Sequence, residues 1–496
     1  MAEETGIPLR ADRLADIATR VPGPSYDRSQ VGAGVVHIGV GAFHRAHQAM
    51  YLDRLLAAGS SSEWGICGVG VLPIDARMRD VMTQQSGLYT LVIKSADGTW
   101  EPRVIGSIVD YLFAPDDPEA VIERLADTRT RIVSLTVTEG GYNFNQVTGE
   151  FNAAQPDVAH DLVPGAAPRT TFGLVVEALA RRRQRGIAPF TIMSCDNIQG
   201  NGHVARKVFT AFARLRDPEL ADWIGREVHF PNCMVDRITP ATTDDDRAAV
   251  RERFDVDDGW PVVCEPFTQW VLEDDFPLGR PDLEAVGVQL VEDVEPYELM
   301  KLRLLNAGHQ ALAYVGHLMG YRLVDEAARD PLIARLMLDY MDREATPTLR
   351  PVPGIDLTAY KHQLIERFSN PGIRDTVARL AFDASERTPK WVVPAVRENL
   401  AAGRDVTLGA AIIASWARYA EGIDEQGAPI EVVDRLKDTL MPLARRWPDE
   451  PLAFLSVREL FGDLVDDERF TAPYLAALES LHRRGARETL EALLGS

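Results

Sequence analysis

The sequence contains little cysteine, and its cysteines are far apart. The four are Cys67, Cys195, Cys233 and Cys264, and no two of them form a CxxC pair in the 496 residues. A disulfide framework needs several paired cysteines, and a structural zinc site needs closely spaced ones, so the sequence favours neither. Isolated thiols are typical of a reducing cytoplasm, which is the location we expect.

The sequence is also short of basic charge. Lysine and arginine total 53 against 74 for aspartate and glutamate, which gives a formal net charge of −21. Such a chain repels phosphate backbones and anionic lipid unless a local basic patch intervenes. The densest basic group, residues 181–185, ends a predicted helix, where cations interact favourably with the helix dipole. We therefore expect no nucleic-acid partner.

Long apolar runs are missing as well. No segment approaches the roughly 20 uninterrupted apolar residues of a membrane span, and the acidic N-terminus lacks the apolar core of a signal peptide. The sequence therefore predicts no membrane partner. We expect the partner to be a small molecule and the protein to be a monomer or a weak oligomer.

What remains is ordinary globular composition, with 46% apolar and 26% charged residues. A chain of this length exceeds what one hydrophobic core usually serves, so two large domains are expected. In the first half, short apolar runs at 35–40, 65–71, 131–137 and 190–194 alternate with helical patterns at 46–58, 117–126 and 171–185. This alternation predicts an α/β domain with a doubly wound parallel sheet and a ligand at the carboxyl ends of its strands.

One segment of the first half has a different pattern. Residues 88–95 and 103–112 resemble two strands, with the turn signal Asp97-Gly98 between them. Such a pattern predicts a β-hairpin inserted into the α/β domain.

After Pro296 the pattern changes to amphipathic helices with few strand candidates. Proline at a first helical turn favours a helix start there. The sequence thus predicts a dinucleotide-binding Rossmann-type domain over 1–293 and an all-helical substrate and catalytic domain over 294–496. The helices are predicted at 297–319, 331–341, 357–368, 374–382, 391–401, 408–419, 431–447 and 473–494.

A glycine-rich motif, GVGAFHRAH at residues 39–47, follows the first strand. Glycines there let the backbone turn tightly and approach a pyrophosphate, which the next helix N-terminus can bind. The third glycine of the full fingerprint is replaced by His44, and an ordinary strand-to-helix turn has the same two glycines. Its place after the first strand favours a dinucleotide site. The predicted cofactor-binding residues are Ile38, Gly39, Val40, Gly41, Ala42, Phe43, His44, Arg45 and Asp75.

Asp75 lies just past the second predicted strand. An acid at this strand end accepts hydrogen bonds from the adenosine ribose, which favours NAD over NADP. Arg77 and Arg79 lie close by and could bind a 2′-phosphate, although both also fit a solvated helix face.

Four polar residues share one face of the helix predicted after Pro296. At about 100° per residue, Glu298, Lys301, Asn306 and His309 fall within an arc of roughly 140°. Burial would lower the pKa of the lysine toward neutrality and make it a usable proton acceptor, with the amide and the imidazole beside it to hold a substrate oxygen. A surface lysine next to a core asparagine and histidine fits the same pattern.

Two further polar clusters follow strands of the first half. Asn197, in the motif SCDN, lies at the predicted sheet edge, where it could donate to a substrate or simply cap the next helix. Asp236 and Arg237 follow a short strand, where an internal ion pair would explain them equally well.

These segments together resemble the polyol-specific long-chain dehydrogenase/reductase family. The similarity lies in GVGAFHRAH, SCDN, FPNCMVDRITP, residues 269–281 and KLRLLNAGH, in the same order over nearly the whole chain. The resemblance implies a Rossmann-type N-terminal domain and an all-helical C-terminal domain. It also implies metal-independent, NAD-linked oxidation of D-mannitol to D-fructose.

The same resemblance implies roles for individual residues. Lys301 matches the catalytic base, Asn197 and Asn306 the pair that polarises the substrate oxygen, and His309 a substrate-orienting residue. Glu298 matches a carboxylate that gates proton exchange with solvent. Asp236 matches a substrate-binding acid, and Arg379 a further substrate contact, with Arg374 nearby. Ile74 departs from the pattern, because relatives are expected to carry a second acid there, and this loosens the preference for NAD.

Three alternatives stay open. D-arabinitol dehydrogenases and fructuronate or tagaturonate reductases share the family framework, although a uronate would need a dedicated cation. Tyr297 and Lys301 also satisfy the YxxxK pattern of short-chain dehydrogenases, in which the tyrosine is the acid and base. A redox sensor could bind NAD without turnover, although it would have no need of a buried base.

Overall fold

The computed structural model describes residues 6–59, 62–143 and 150–495, and these fall into two compact units. One unit comprises the chain up to residue 95 together with 99–295, and the other comprises 96–98 together with the chain from 296. We describe each unit by itself.

The N-terminal unit is built around a five-stranded parallel sheet with the strand order β6-β3-β2-β7-β8. A three-stranded sheet orders β11-β4-β5, another orders β13-β12-β9, and β1 pairs with β10. The strands are β1 (Ile7–Pro8), β2 (Val35–Ile38), β3 (Ile66–Gly70), β4 (Tyr89–Lys94), β5 (Trp100–Ile105), β6 (Ile108–Phe113), β7 (Ile132–Leu135), β8 (Thr191–Ser194), β9 (Cys233–Asp236), β10 (Val256–Asp257), β11 (Val262–Cys264), β12 (Gln269–Glu273) and β13 (Gln289–Val291).

Helices cover both faces of the parallel sheet. They are α1 (Leu14–Ile17), α2 (Ala42–Ala46), α3 (Gln48–Ala57), α4 (Ala76–Gln84), α5 (Pro118–Ala126), α6 (Thr138–Gly141), α7 (Pro156–Asp161), α8 (Thr171–Arg185), α9 (Asn201–Arg216), α10 (Pro218–Glu227) and α11 (Asp244–Phe254).

Strand β2 shows why the sheet is covered on both sides. All four of its residues are buried, with Val36 and Ile38 in the core against α5 and α8 and Val35 in the core against α3. A strand buried on both faces carries continuous apolar residues rather than alternating ones, as parallel strands do. The predicted doubly wound fold is confirmed.

The helix predicted at 46–58 begins earlier and is interrupted. Helix α2 ends at Ala46, His47 leaves the helical region with φ −121° and ψ −93°, and α3 then begins at Gln48. The helix that follows the glycine motif is therefore five residues long.

The predicted hairpin is correct in its first strand and wrong in its second. Strands β4 and β5 pair antiparallel, but the second strand ends at Ile105, and β6 joins the parallel sheet instead. The break falls at Gly106, where a Cβ atom would overlap the ring of Pro24. The buried Asp53 carboxylate accepts from the Gly106 N–H at 3.0 Å and holds the chain at this turn.

The C-terminal unit is mostly helical, as expected. Its α-helices are α12 (Glu295–Met300), α13 (Ala307–Leu318), α14 (Val324–Ala328), α15 (Pro331–Tyr340), α16 (Leu357–Phe368), α17 (Val377–Ala381), α18 (Ala384–Trp391), α19 (Val393–Ala401), α20 (Thr407–Ala420), α21 (Lys437–Ala444), α22 (Arg458–Phe461) and α23 (Glu468–Leu494).

The long first helix predicted here is not one continuous α-helix. Between α12 and α13 the chain forms a π-helix over Lys301–Asn306, and a second π-helix, Met341–Ala345, follows α15. Across the described residues, none of the helices is both long enough and apolar enough to cross a bilayer.

Candidate active site

The glycine motif forms a tight turn at the carboxyl end of β2. Gly39 has φ +95°, and a Cβ atom there would overlap the carbonyl oxygen of Thr136, so a glycine is required. At Gly41 the nearest atom to the Cβ position is 3.8 Å away, which leaves open space in front of the backbone. A loop with close backbone packing behind it and open space before it fits a diphosphate.

Behind this turn lies a histidine that the sequence did not single out. The fully buried ring of His37 places Nδ1 2.8 Å from Ser134 Oγ and Nε2 3.0 Å from Thr136 Oγ1. The Thr136 hydroxyl donates to the Gly39 carbonyl oxygen at 2.7 Å, and Ser134 Oγ lies 3.0 Å from Gln48 Oε1. The glycine turn thus rests on a continuous chain of polar side chains.

The residue in place of the third glycine packs against the same histidine. The rings of His44 and His37 stack at 3.4 Å between centroids with 8° between their planes. Neither ring nitrogen of His44 has a hydrogen-bond partner among the described residues. Burial, the largest cause, lowers the pKa of His44 well below its usual value, so the ring is neutral.

The other predicted cofactor residues fall into two groups. Ile38 and Val40 are buried on either side of Gly39, whereas Ala42 and Phe43 are partly exposed. Arg45 is fully buried, with its guanidinium donating to the Trp260 carbonyl. The Arg45 Nε also donates to the Gly41 carbonyl at 3.3 Å, so the side chain lies in the core and supports the glycine turn from there.

Asp75 lies where the sequence placed it, just after β3. Its Oδ2 accepts from the N–H groups of Val71 and Leu72, each at 2.9 Å. Its neighbour Ile74 is 82% exposed. Since both hydrogen bonds use one oxygen, the carboxylate is held in place while its other oxygen remains available for a ribose hydroxyl.

The two arginines near Asp75 are engaged elsewhere. Arg79 forms ion pairs with Asp80 and Asp116, both at 2.8 Å. The Arg77 guanidinium lies 4.4 Å from the centre of the Trp260 ring. The expectation that they are helix-face residues fits these contacts better than a 2′-phosphate site does.

The SCDN motif begins at the last residue of β8 and leads into a turn, and of its four residues only Asn197 is exposed. The preceding Asp196 is buried and accepts from the N–H groups of Val137 at 3.2 Å and Thr138 at 2.7 Å. The Tyr142 hydroxyl donates to the same carboxylate at 2.7 Å. Asp196 therefore ties together the loops after β7 and β8 and fixes the turn that carries Asn197.

Strand β9 ends in the second polar cluster. Asp236 is buried at its last position. Arg237 donates from Nε and one Nη to the Glu265 carbonyl and from the other Nη to the Ala46 carbonyl, at 2.7–3.0 Å. The guanidinium is thus occupied by main-chain oxygens.

In the C-terminal unit, Lys301 begins the π-helix and Asn306 ends it. Lys301 is 8% exposed, and Glu298 and Asn306 are buried as well. A π-helical turn holds one residue more than an α-helical turn, which shifts the later residues by about 100° around the axis. The arc calculated for a continuous α-helix therefore needs correction, although burial of the lysine agrees with the prediction.

His309 lies one turn beyond the π-helix, and its ring packs on Phe368 with 4.5 Å between centroids. Burial lowers its pKa well below the usual value, and the nearby charges of Arg379, Arg367, Arg387 and Lys301 lower it further. The ring is therefore neutral and able both to donate and to accept. The charges of Lys301 and Arg379 thus both act on His309.

Arg379, on α17, is half-exposed and forms a bidentate ion pair with Asp375. Helix α17 packs on α13, where the buried Gln310 donates to the Leu380 carbonyl at 3.2 Å. The Gln310 Oε1 accepts from the hydroxyls of Tyr314 and Thr388. Arg374 has a left-handed backbone with φ +52° and is exposed.

Two further features of the structure bear on the alternatives of a tyrosine acid and base and of a metal site. The Tyr297 hydroxyl donates to the Pro353 carbonyl at 2.8 Å, which occupies the proton that a YxxxK mechanism would use. Within the described ranges, no three His, Cys, Asp or Glu residues are grouped closely enough to hold a metal ion.

The sequence reasoning missed three kinds of residue. They are His37 with its hydrogen-bonded side chains, the Asp196 carboxylate, and the arginines Arg367 and Arg387, whose charges act on His309. A histidine inside the apolar run VVHIG was the available signal for the first, because a buried polar side chain needs partners. Those partners are about a hundred positions away in sequence, so the pairing itself was not visible.

The chain matches two family models in sequence order. The model described as the mannitol dehydrogenase Rossmann domain matches residues 33–285, and the mannitol dehydrogenase C-terminal domain matches residues 293–482.

Curated relatives are similar along their full length. A mannitol 2-dehydrogenase of Aspergillus fumigatus is 47% identical over 474 residues, covering 94% of each chain. That of Pyricularia oryzae is 45% identical over 492 residues, covering 97% of this chain and 98% of the relative.

Solved structures share the architecture. Pseudomonas fluorescens mannitol 2-dehydrogenase, in a ternary complex with NAD and D-mannitol, superposes with a TM-score of 0.89 at 45% identity, covering 99% of this chain and all of the other. A substrate-free D-sorbitol dehydrogenase superposes with a TM-score of 0.90 at 38% identity, covering 98% of this chain and all of the other.

Proposed function

This chain belongs to the mannitol dehydrogenase family, and from that premise we propose that it is an NAD-dependent polyol dehydrogenase that oxidises D-mannitol to D-fructose and catalyses the reverse reduction. The observation that carries the proposal is the buried Lys301 at the start of a π-helix that ends in Asn306. π-Helical turns inside longer helices often mark functional sites. A buried lysine with an amide beside it suits proton transfer at a carbinol oxygen.

We propose that residues 1–293 bind the dinucleotide and that residues 294–496 form the substrate and catalytic domain, which carries Lys301. The open face of Gly41, the turn at Gly39 and the fixed carboxylate of Asp75 fit a diphosphate and an adenosine ribose. When bound, NAD supplies the hydride acceptor. Because Arg77 and Arg79 already have partners, the proposal favours NAD over NADP.

Lys301 acts as the general base. In its neutral form the amine takes the proton of the hydroxyl at C2 of the polyol while hydride leaves the same carbon. In the reverse direction the ammonium returns that proton to the ketose oxygen. Glu298 is buried and precedes Lys301 by one helical turn in the sequence. It relays protons between the amine and solvent.

Two amides stabilise the negative charge that develops on the reacting oxygen. Asn197, on the turn fixed by Asp196, and Asn306, at the end of the π-helix, donate N–H groups to it. His309, Asp236 and Arg379 hold the remaining hydroxyls of the substrate. The lysine and amides supply this stabilisation themselves, so the proposed mechanism needs no metal.

Initial rates with NAD and NADP against mannitol, arabinitol, sorbitol and fructuronate, each with and without chelator, test the proposal. We expect the fastest turnover with mannitol and NAD and no effect of chelator. A chelator-sensitive enzyme would overturn the metal-independent mechanism, and faster reduction of fructuronate would overturn the substrate.

D-Arabinitol and sorbitol are the nearest alternatives among polyols, sorbitol because a D-sorbitol dehydrogenase shares the architecture. A uronate is disfavoured for a structural reason. Its carboxylate would need an uncompensated cation, whereas the bidentate pair with Asp375 already neutralises Arg379.

A further inference from the structure

The most complete polar structure outside the proposed catalytic residues lies behind the glycine turn. His37, Ser134, Thr136 and Gln48 connect α3, β7 and β2 through side chains and end on the Gly39 carbonyl. Satisfied networks of buried polar groups fix one local arrangement and are costly when only partly satisfied.

We infer that His37 is a positioning residue for the dinucleotide, because it holds the Gly39 peptide in the orientation that presents the following backbone N–H groups to the diphosphate. The inference rests on the proposed function, since it concerns how the same nucleotide site is preset. His37 itself touches neither cofactor nor substrate.

The direction of the network follows from the neutral state of the ring. Burial lowers the pKa of His37 to about 3, so one ring nitrogen carries a proton and the other accepts. With the proton on Nε2, the ring donates to Thr136 Oγ1, whose own proton goes to the Gly39 oxygen 2.7 Å away. With the proton on Nδ1, Nε2 would be an acceptor. Thr136 would then have to donate its single hydroxyl proton both to Nε2 and to the Gly39 carbonyl oxygen.

At the other end of the network, the Ser134 hydroxyl donates to Gln48 Oε1 at 3.0 Å and lies 2.8 Å from His37 Nδ1. The stacked ring of His44, 3.4 Å away, covers one face of His37 and fills the space that a third glycine would leave.

The fixed carbonyl determines the shape of the turn. The Gly39 N–H donates to the Val69 carbonyl at 3.1 Å, and its oxygen is held by Thr136, so both ends of this residue are tied to neighbouring strands. Since φ +95° is readily lost by a glycine without such restraints, removing the Thr136 or His37 contact should let the peptide rotate. A diphosphate would then have to reorder the turn on binding.

The experiment compares ADP, which carries the diphosphate, with adenosine, which does not, by calorimetry on the full chain. We expect His37→Leu and Thr136→Val to raise the Kd for ADP and NADH about tenfold, the cost of one lost buried hydrogen bond. Adenosine affinity should change less than about twofold. The kcat at saturating NAD should stay close to that of the unaltered enzyme, as expected for a binding effect.

Two variants separate positioning from general damage. His37→Gln keeps an N–H near the Nε2 position and should restore ADP affinity to within about threefold. Thr130→Val removes a buried hydroxyl just before β7, where it donates to the Arg124 carbonyl at 2.8 Å, and should leave ADP affinity unchanged.

The inference is overturned if His37→Leu and Thr136→Val bind ADP as the unaltered protein does, or if they lose adenosine to the same degree. Because these measurements need no polyol, failure of the unaltered enzyme to oxidise mannitol would refute the proposed function alone.

Discussion

Each unit contains a buried polar network that ends on a main-chain carbonyl next to a site residue, but the two networks support different things. In the N-terminal unit the network of His37 ends on Gly39 and holds a piece of backbone. In the C-terminal unit the network of Gln310 ends on Leu380 and holds the helix that carries Arg379. Under the proposed function, the first network holds backbone groups that bind the dinucleotide, and the second holds a helix whose side chain binds the substrate.

This difference explains which features a sequence pattern can find. Backbone sites depend on glycines, which leave a recognisable spacing such as that of Gly39 and Gly41. Side-chain sites depend on the rotation of a helix, which a single π-helical turn changes by about 100°. Damage to the His37 network should therefore weaken dinucleotide binding, whereas damage to the Gln310 network should weaken substrate binding.

The largest effect is expected at the catalytic lysine. Lys301→Ala should lower turnover by about three to four powers of ten, the contribution typical of a general base. NADH affinity should change less than about threefold, because the dinucleotide is assigned to the other unit. Steady-state kinetics and NADH fluorescence titration measure the two quantities.

The matched control is the other buried lysine of the same unit. Lys361 is as little exposed as Lys301 and pairs with Asp342. Lys361→Ala should reduce thermal stability while leaving turnover within about threefold of the unaltered enzyme. Equal losses of turnover in both variants would mean that burial, rather than base chemistry, explains the effect of Lys301.

The next largest effect concerns pH. Burial raises the pKa of Glu344 to about 7, against the N–H groups of Leu408 and Gly409 that donate to its carboxylate at 2.6 and 2.8 Å. At Glu344 the folded state therefore binds more protons than the unfolded state, so the contribution of this group to the unfolding free energy falls by up to about 3 kcal/mol as pH rises from about 4.5 to 7. Burial lowers the pKa of His37, so its contribution to the unfolding free energy changes with pH in the opposite direction.

Thermal unfolding from pH 5 to 8 checks this difference between the units. The unfolding free energy of the unaltered protein, measured relative to that of Glu344→Gln, should fall as the pH rises, whereas its difference from Glu459→Gln, which alters an exposed acid of the same unit, should stay constant. A difference from Glu344→Gln that does not change with pH would mean that Glu344 titrates alike in the folded and unfolded states.

A third test compares the two glutamines directly. Gln310→Leu leaves the Tyr314 hydroxyl and the Leu380 carbonyl with fewer partners and should cost about 2 kcal/mol of stability. It should raise the KM for mannitol, while Gln48→Leu should raise the Kd for NADH. If both variants changed the same constant, the division of roles between the networks would be wrong.

Much of the fold was predictable because its signals are local. Helix α8 was predicted with both ends correct, since Thr170 caps its first turn and Gly186 ends it in a left-handed conformation with φ +68°. The predicted strand 103–112 was wrong because Gly106 breaks it for a tertiary reason, the close approach of Pro24. No local pattern carries that information.

The features of the candidate site likewise fall into those that a local sequence pattern reveals and those that it does not. The glycine turn followed from residue type and spacing, whereas the spacing around Lys301 fitted both a buried and a surface lysine. The π-helix did not follow from them, because a change from i−4 to i−5 hydrogen bonding is set by packing around the helix rather than by its own residues. Nor did the pairing of His37 with Thr136, which joins two strands 99 residues apart in sequence.

The smallest expected effect is on the preference for NAD over NADP. It tests the predicted nucleotide site through the charge of Asp75. Asp75→Asn can still accept from Val71 and Leu72, so the turn should survive, but its charge is lost. We expect the ratio of kcat/KM for NAD over NADP to fall about tenfold, or about 1.4 kcal/mol, because the carboxylate no longer repels a 2′-phosphate. Asp157→Asn, which removes an exposed acid elsewhere in the same unit, should leave the ratio within about twofold. An unchanged ratio in Asp75→Asn would mean that the shape of the turn, and therefore the network behind it, selects the cofactor.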